Sequence, residues 1–192
     1  MLEKIPPSVS RASHRVRAGA KGLTIADTEL TGVDACIEVS SPAFGYQQPI
    51  PLRYTADGSG LSPPLDWRGV PSSAEAVALL IEDADSPTPQ PVVHAIAWDL
   101  PGSDASLPEG ALPRADSASP ARHALGRNAT RSPAYLPPDP PRGHGPHRYV
   151  FQVFALDAPL RYASPPGRAA LLASIRGHVI AKGLLIGTYE RT

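Results

Sequence analysis

Gly143-His144-Gly145-Pro146-His147-Arg148-Tyr149-Val150-Phe151-Gln152-Val153-Phe154-Ala155-Leu156-Asp157 joins a glycine- and proline-rich loop to a run of aromatic and β-branched residues. Such a run, bounded by turn residues, reads as a strand in a core. Gly143 and Gly145 let the backbone come close to a ligand, and Pro146 fixes its own φ. His147, Arg148 and Tyr149 then present an imidazole, a guanidinium and a phenol at a rigid strand entrance, all able to donate hydrogen bonds to an anion. His144, in the loop itself, is expected to be solvated.

Working outward, other segments share the strand character. Ala35–Ser40 alternates, Ala76–Glu82 is continuously apolar, Val92–Leu100 follows after a connection over 83–91, and Leu184–Tyr189 closes the chain. Arg168–Arg176 has the spacing of one short helix after Ser164-Pro165-Pro166-Gly167. Residues 102–146 carry little periodicity and read as a binding or lid loop, because so long a structureless segment is unusual in a compact domain. Strands outnumber helices and do not alternate with them. The predicted fold class is therefore mainly β: an antiparallel, sandwich-like domain with a few short flanking helices.

The chain has 192 residues, enough for one domain with a sizeable core. Lys plus Arg and Asp plus Glu are both 18, so no global field draws it to nucleic acid. The longest apolar run, Ala76–Ile81, is far short of the roughly 20 residues a spanning helix needs, and a single cysteine, Cys36, cannot form an intrachain disulfide. A soluble cytoplasmic protein is expected. The 24 prolines sit between apolar strands and read as loop stiffeners. Residues 1–34, with Lys4, Arg11, Arg15, Arg17 and Lys21, read as a loosely ordered basic extension preceding a domain over 35–192, in preference to a transit peptide.

A second stretch, Glu82-Asp83-Ala84-Asp85-Ser86-Pro87, is followed by His94 at the start of the next strand. His94, His147 and an aspartate would make a His-His-carboxylate metal set, but no close-spaced ligand pair supports it. A serine hydrolase would need an elbow of the G-x-S-x-G kind, which is absent. An anion pocket uses every residue named: His94, His147 and Tyr149 donate to the ligand, and an aspartate of this stretch fixes an imidazole tautomer or meets a ligand's ammonium. Asp85 and Arg148 are equally suited to an ion pair bracing the two loops.

The pattern resembles the phosphatidylethanolamine-binding proteins, in particular their bacterial Raf-kinase-inhibitor-like branch. The resemblance covers roughly 37–191 and rests on Ser41-Pro42-Ala43-Phe44, Ile50-Pro51 with Tyr54-Thr55-Ala56-Asp57-Gly58, Ser62-Pro63-Pro64-Leu65, Asp83 to Pro87, His94, Gly143 to Tyr149, Gly177-His178-Val179 and Gly187-Thr188-Tyr189. It implies a large antiparallel sheet packed with a smaller one. It also implies a pocket of Asp83, His94, His147 and Tyr149, supported by Asp85, Pro87, Gly143, Gly145, Pro146 and Arg148, with His178 outside it.

By the same resemblance the protein binds phosphate-type anions or phosphoethanolamine-like head groups without turnover or cofactor. A kinase or protease partner and a homodimer are implied as well. The rival is an acid–base enzyme using His94, His147 and Asp83 on a small phosphorylated substrate. Two departures bear on the pocket. Val93 replaces the family's usual tryptophan before the strand histidine, which would remove one wall of the pocket mouth, and Ala134-Tyr135-Leu136-Pro137-Pro138-Asp139-Pro140-Pro141 replaces a glycine-rich loop, adding a carboxylate.

Overall fold

A strand buried along its whole length needs protein on both of its faces, because successive side chains point to opposite sides. β4 (Ala76–Asp83) is such a strand, with every residue buried. In the computed structural model, which describes residues 17–118 and 120–192, the other strands are β1 (Glu38–Ser40), β2 (Gln48–Pro49), β3 (Leu65–Arg68), β5 (Val92–Pro101), β6 (Ala105–Leu107), β7 (Ala124–Gly126), β8 (His147–Leu156) and β9 (Val179–Tyr189). They form a six-stranded sheet in the order β2-β9-β8-β4-β5-β7 and a three-stranded sheet in the order β1-β3-β6. All pairings are antiparallel except β2 with β9. The expected mainly-β, two-sheet architecture is what the chain adopts.

On one face of the large sheet Val77, Leu79, Ile81, Tyr149, Phe151 and Val153 pack against Leu65, Trp67 and Leu107 of the small sheet. On the other, Ala78, Leu80, Ile96, Phe154 and Leu156 are covered by Leu171 and Ile175 of the helix α1 (Arg168–Ile175) and by Leu30. β9 begins at Val179, well before the expected Leu184. Lys182 and Gly183 break its apolar run, yet both are required: Lys182 is buried and donates to the Leu30 carbonyl, and a side chain at position 183 would run into the Ile37 carbonyl. The stretch 102–146 does carry two short strands, β6 and β7, but is otherwise irregular.

Residues 17–34 correct the expectation of a loose extension; the rest of that expectation, residues 1–16, lies outside the described residues. Three single 3-10 turns, Ala20–Gly22, Thr24–Ala26 and Thr28–Leu30, lie against the sheet face that α1 shares. Leu30 is only 1% exposed. The Thr24 amide donates to Glu82 Oε2 at 2.8 Å and the Ile25 amide to Gln152 Oε1 at 2.7 Å. Arg176 of the helix end reaches Asp27 at 2.8 Å. The segment is thus a clasp, held by buried charged and amide groups, each of which takes one of its partners from it.

Deleting residues 1–34 strips three buried polar groups, Glu82, Gln152 and Lys182, of one partner each, at roughly 1–3 kcal/mol apiece, and uncovers the surface under Leu30. The sum is comparable to the roughly 5–15 kcal/mol of net stability of a typical domain. Calorimetry of the truncated chain is expected to show a melting temperature lower by more than about 10 °C, or no cooperative transition; a shift of a degree or two would mean that the clasp is ornamental.

Candidate functional site

β4 and β8 are paired so that Asp83 lies opposite Tyr149, which puts Asp83, His147 and Tyr149 on the sheet face shared with the small sheet. β5 reaches the same place by an irregularity. Ile81 pairs with Ala95 but Glu82 with Val93, so His94 has no residue opposite it. A bulge of this kind re-aims a side chain, and His94 turns toward Tyr149, with ring centroids 5.1 Å apart in an edge-to-face arrangement. A pocket of about 220 Å³ opens here, lined by Asp83, His94 and Tyr149 together with Thr88, Val92, Ala129, Thr130, Leu136, Pro137 and Asp139.

Two lining residues each bury a polar atom that has no hydrogen-bond partner among the described residues: Nε2 of His94 and the hydroxyl of Tyr149. His94 Nδ1 lies 2.7 Å from the Leu136 carbonyl, which can only accept, so Nδ1 carries the proton. Burial lowers the His94 pKa below 6.5, against the opposing pull of the Asp83 carboxylate. The neutral ring therefore offers Nε2 as an acceptor. Burial, reinforced by Asp83, raises Tyr149 well above 10, so its hydroxyl stays protonated and can donate.

His147 joins this group from behind. It is fully buried, its Nδ1 lies 2.7 Å from Asp83 Oδ2, and its Nε2 lies 2.7 Å from His144 Nδ1. Asp83 also accepts from the Asp85 amide at 2.9 Å. His147 is not among the residues that line this pocket; it meets one of them, Asp83, through Nδ1. The expectation of a solvated His144 is overturned: it is 1% exposed and forms the next link of the chain. Its loop can turn inward because Gly143 and Gly145 take φ of 71° and 86°. Pro146 and His144 present their carbonyls to Arg17 at 2.9 and 3.1 Å.

Asp85 lies beside the pocket and does not line it. Arg148 grips both of its oxygens, at 2.7 and 2.9 Å, and Arg17 approaches at 3.1 Å. Burial alone would raise the Asp85 carboxyl; the hydrogen bonds from the Arg148 side chain and amide and from Arg17 outweigh it and bring the pKa to about 2. The brace between the two loops is thus present, and Pro87, half-buried, follows it without lining the pocket. Val93 does not wall the pocket mouth: it packs with Leu30 and Leu80 on the opposite sheet face. His178 pairs with Asp157 at the surface.

Sequence reasoning missed Arg191 and Arg17. Arg191 is 5% exposed, binds both oxygens of Asp57, and reaches Asp139 on the pocket wall. The extra carboxylate noted in the 134–141 loop was the visible signal; its arginine, after the last strand, lay far from it in sequence. Among the described residues no cluster of three or more His, Cys, Asp or Glu is arranged to hold a metal ion, and no helix is long and apolar enough to cross a membrane.

Asp85 makes one consequence measurable. Its folded pKa of about 2 lies below the ordinary 3.8, so the stability it contributes is complete above about pH 4 and is lost as pH falls through 2. Asp85→Asn is expected to be less stable than wild type at pH 7 and to lose less between pH 4 and pH 2. Parallel denaturation curves for the two proteins over that interval would show that the brace is not carried by the charge.

The phosphatidylethanolamine-binding protein family model matches residues 40–190. A UPF0098 protein of Pyrococcus abyssi is 36% identical over 160 residues, spanning 83% of this chain and 88% of the relative. One from Methanothermobacter thermautotrophicus is 35% identical over 155 residues, spanning 81% and 99%. Among solved structures, a putative phosphatidylethanolamine-binding protein homologue of Chlamydia trachomatis superposes with a TM-score of 0.73 at 33% identity, covering 83% of this chain and all of that one. Escherichia coli YbcL, described as a new member of the mammalian family, gives 0.74 at 25% identity over 82% of this chain and 100% of its own.

Proposed function

The chain belongs to the phosphatidylethanolamine-binding protein family, and from that premise we propose that it is a non-enzymatic binding protein whose inner pocket takes a phosphate-type group, free or as a phosphoethanolamine-like head group. The observation that carries this reading is a pair of buried polar atoms without partners among the described residues, His94 Nε2 and the Tyr149 hydroxyl, on two residues that line one small pocket. Unpaired buried polar groups are costly, roughly 1–3 kcal/mol each, and a ligand that meets both recovers that cost. Thr88 and Thr130 add hydroxyls to the wall, and Asp139 sets a carboxylate where an ammonium would be welcome.

The acid–base alternative relies on Asp83, His147 and His94. The buried chain from Asp83 through His147 to His144 runs away from the lined space, which favours binding over turnover. A kinase or protease partner that docks around the pocket, a homodimer and a cytoplasmic location belong to the same reading; an exposed free Cys36 supports a reducing compartment.

A phosphodiester anion, which has no P–OH to donate, can be held by His94 Nε2 only with a proton on that nitrogen. Because burial lowers the free pKa below 6.5 and an anion would raise it, affinity for dimethyl phosphate, which does not titrate in this range, is expected to rise as pH falls from 8 to 5.5. Tyr149→Phe should weaken binding by roughly one to two decades, the equivalent of about 1.5–3 kcal/mol for a hydrogen bond to a charged group. Glycerophosphoethanolamine should bind more tightly than dimethyl phosphate if the head group is the ligand, and equally if a bare phosphate is. Calorimetric titration reads all three, and a pH-independent affinity that ignores Tyr149→Phe would withdraw the assignment.

A further inference from the structure

Beside the inner pocket lies a larger concavity of about 760 Å³, and Thr88, Val92 and Ala129 line both. These three side chains form a low sill between two adjoining spaces. The two spaces differ in charge. Asp83 and Asp139 line the inner one, whereas the outer one is lined by Arg127, Arg131 and Arg168 and, among the described residues, by no Asp or Glu.

Arg168 is already held by Glu82 and by the Gly22 carbonyl. Arg127 and Arg131 are exposed, and among the described residues neither guanidinium has a hydrogen bond or an ion pair. That sets them apart from Arg53, Arg114, Arg148, Arg176 and Arg191, each of which meets a carboxylate. The backbone that carries them is tied down. Asn128 is buried beneath them and ties the turn together, donating to the Ala134 carbonyl at 2.9 Å and accepting from the Thr130 amide, the Thr130 hydroxyl and the Ser132 amide. The Arg127 amide is anchored to the Pro166 carbonyl at 2.7 Å. Arg131 takes φ of 66°, a left-handed conformation that a non-glycine residue holds at a cost.

We propose that this outer concavity is a second anion subsite, and that the protein's ligand is an extended molecule bearing two anionic groups, one in the inner pocket and one against Arg127 and Arg131. The inner half of this statement rests on the function proposed above; the outer half rests on the arginine pair alone. An anion arriving there breaks no existing ion pair, and guanidinium groups suit phosphate or carboxylate oxygens. Val92 and Ala129 on the sill give a short hydrocarbon linker an apolar seat. Joining the two anions makes the second contact intramolecular, so the linked ligand gains affinity over either part.

Propane-1,3-diyl bisphosphate and methyl phosphate, titrated at one fixed pH, separate the two subsites. Wild type is expected to bind the bisphosphate roughly tenfold or more tightly than methyl phosphate. The double variant Arg127→Ala, Arg131→Gly, with glycine chosen because it accepts the positive φ at 131, is expected to lose that advantage while binding methyl phosphate within about twofold of wild type and melting at the same temperature. A double variant that binds the bisphosphate as wild type does overturns the outer subsite, as does a wild type with no preference for the bisphosphate. The charge-reversed pair Arg127→Glu, Arg131→Glu must weaken bisphosphate binding further, and no further loss also counts against it. Tyr149→Phe, which touches only the inner pocket, should weaken both ligands equally; if it weakens neither while the arginine variants act, the inner reading fails and the outer subsite stands.

Discussion

Glu82 and Asp83 are consecutive carboxylates on a strand with no exposed residue, and the two-residue period of that strand sends them to opposite faces of the sheet. Taking a carboxylate out of water costs several kcal/mol unless charge and hydrogen bonds are supplied in its place. Glu82 draws them from three distant segments: the Thr24 amide in the clasp, Gln152 on β8 and Arg168 at the start of α1. Asp83 draws them from the Asp85 amide and from His147. The clasp, the helix and the glycine loop therefore converge on one strand end because its two charges must both be satisfied, each on its own side.

That constraint explains what was legible in the chain and what was not. Strands β4, β5 and β8 announced themselves through continuous apolar or β-branched runs, and the two-layer arrangement follows from their number and from the one short helix that the spacing predicts. His94 and Tyr149 stand out because each sits at a strand end near turn residues, whereas Asp83 is picked from its acidic stretch by the family resemblance. The clasp could not. Leu23, Ile25 and Leu30 lie on short 3-10 turns whose spacing has neither a helical nor a strand period, and the basic residues around them read as solvated. Glu82 passed as part of an apolar strand's end, since the partners that bury it lie 58 to 86 residues away.

The loops show the same limit from the other side. A glycine pair such as Gly143 and Gly145 signals freedom to turn, but not in which direction, and here the turn carries His144 inward to His147. Asp139 signals an added charge, but not that Arg191 shares itself between Asp139 and Asp57 and so keeps the pocket wall fixed. The Asp57 carboxyl is held below its ordinary value, first by its hydrogen bond from Arg191 and then by Tyr189. Long-range pairs of this kind are decided by topology, and local pattern carries no record of them.

The protonation of the pocket bears directly on what it can hold. With His94 neutral, its two unpartnered groups are one acceptor, Nε2, and one donor, the Tyr149 hydroxyl. A fully ionised phosphate group offers acceptors only, so it satisfies Tyr149 and opposes the lone pair of His94. One added proton removes the conflict. For a diester that proton must sit on His94, where the incoming anion favours it and burial opposes it. For a monoester it can instead arrive on the ligand, with P–OH donating to Nε2 and another oxygen accepting from Tyr149. The count of protons taken up is the same in both cases, and linkage depends only on that count. Asp83, a lining carboxylate that His147 and the Asp85 amide keep in place, adds a reason for the ligand to arrive with its charge reduced. On the proposed reading the inner pocket takes a phosphate group together with a proton, and the remaining negative charge of a larger ligand would fall on the solvent side, against the arginine-lined outer space.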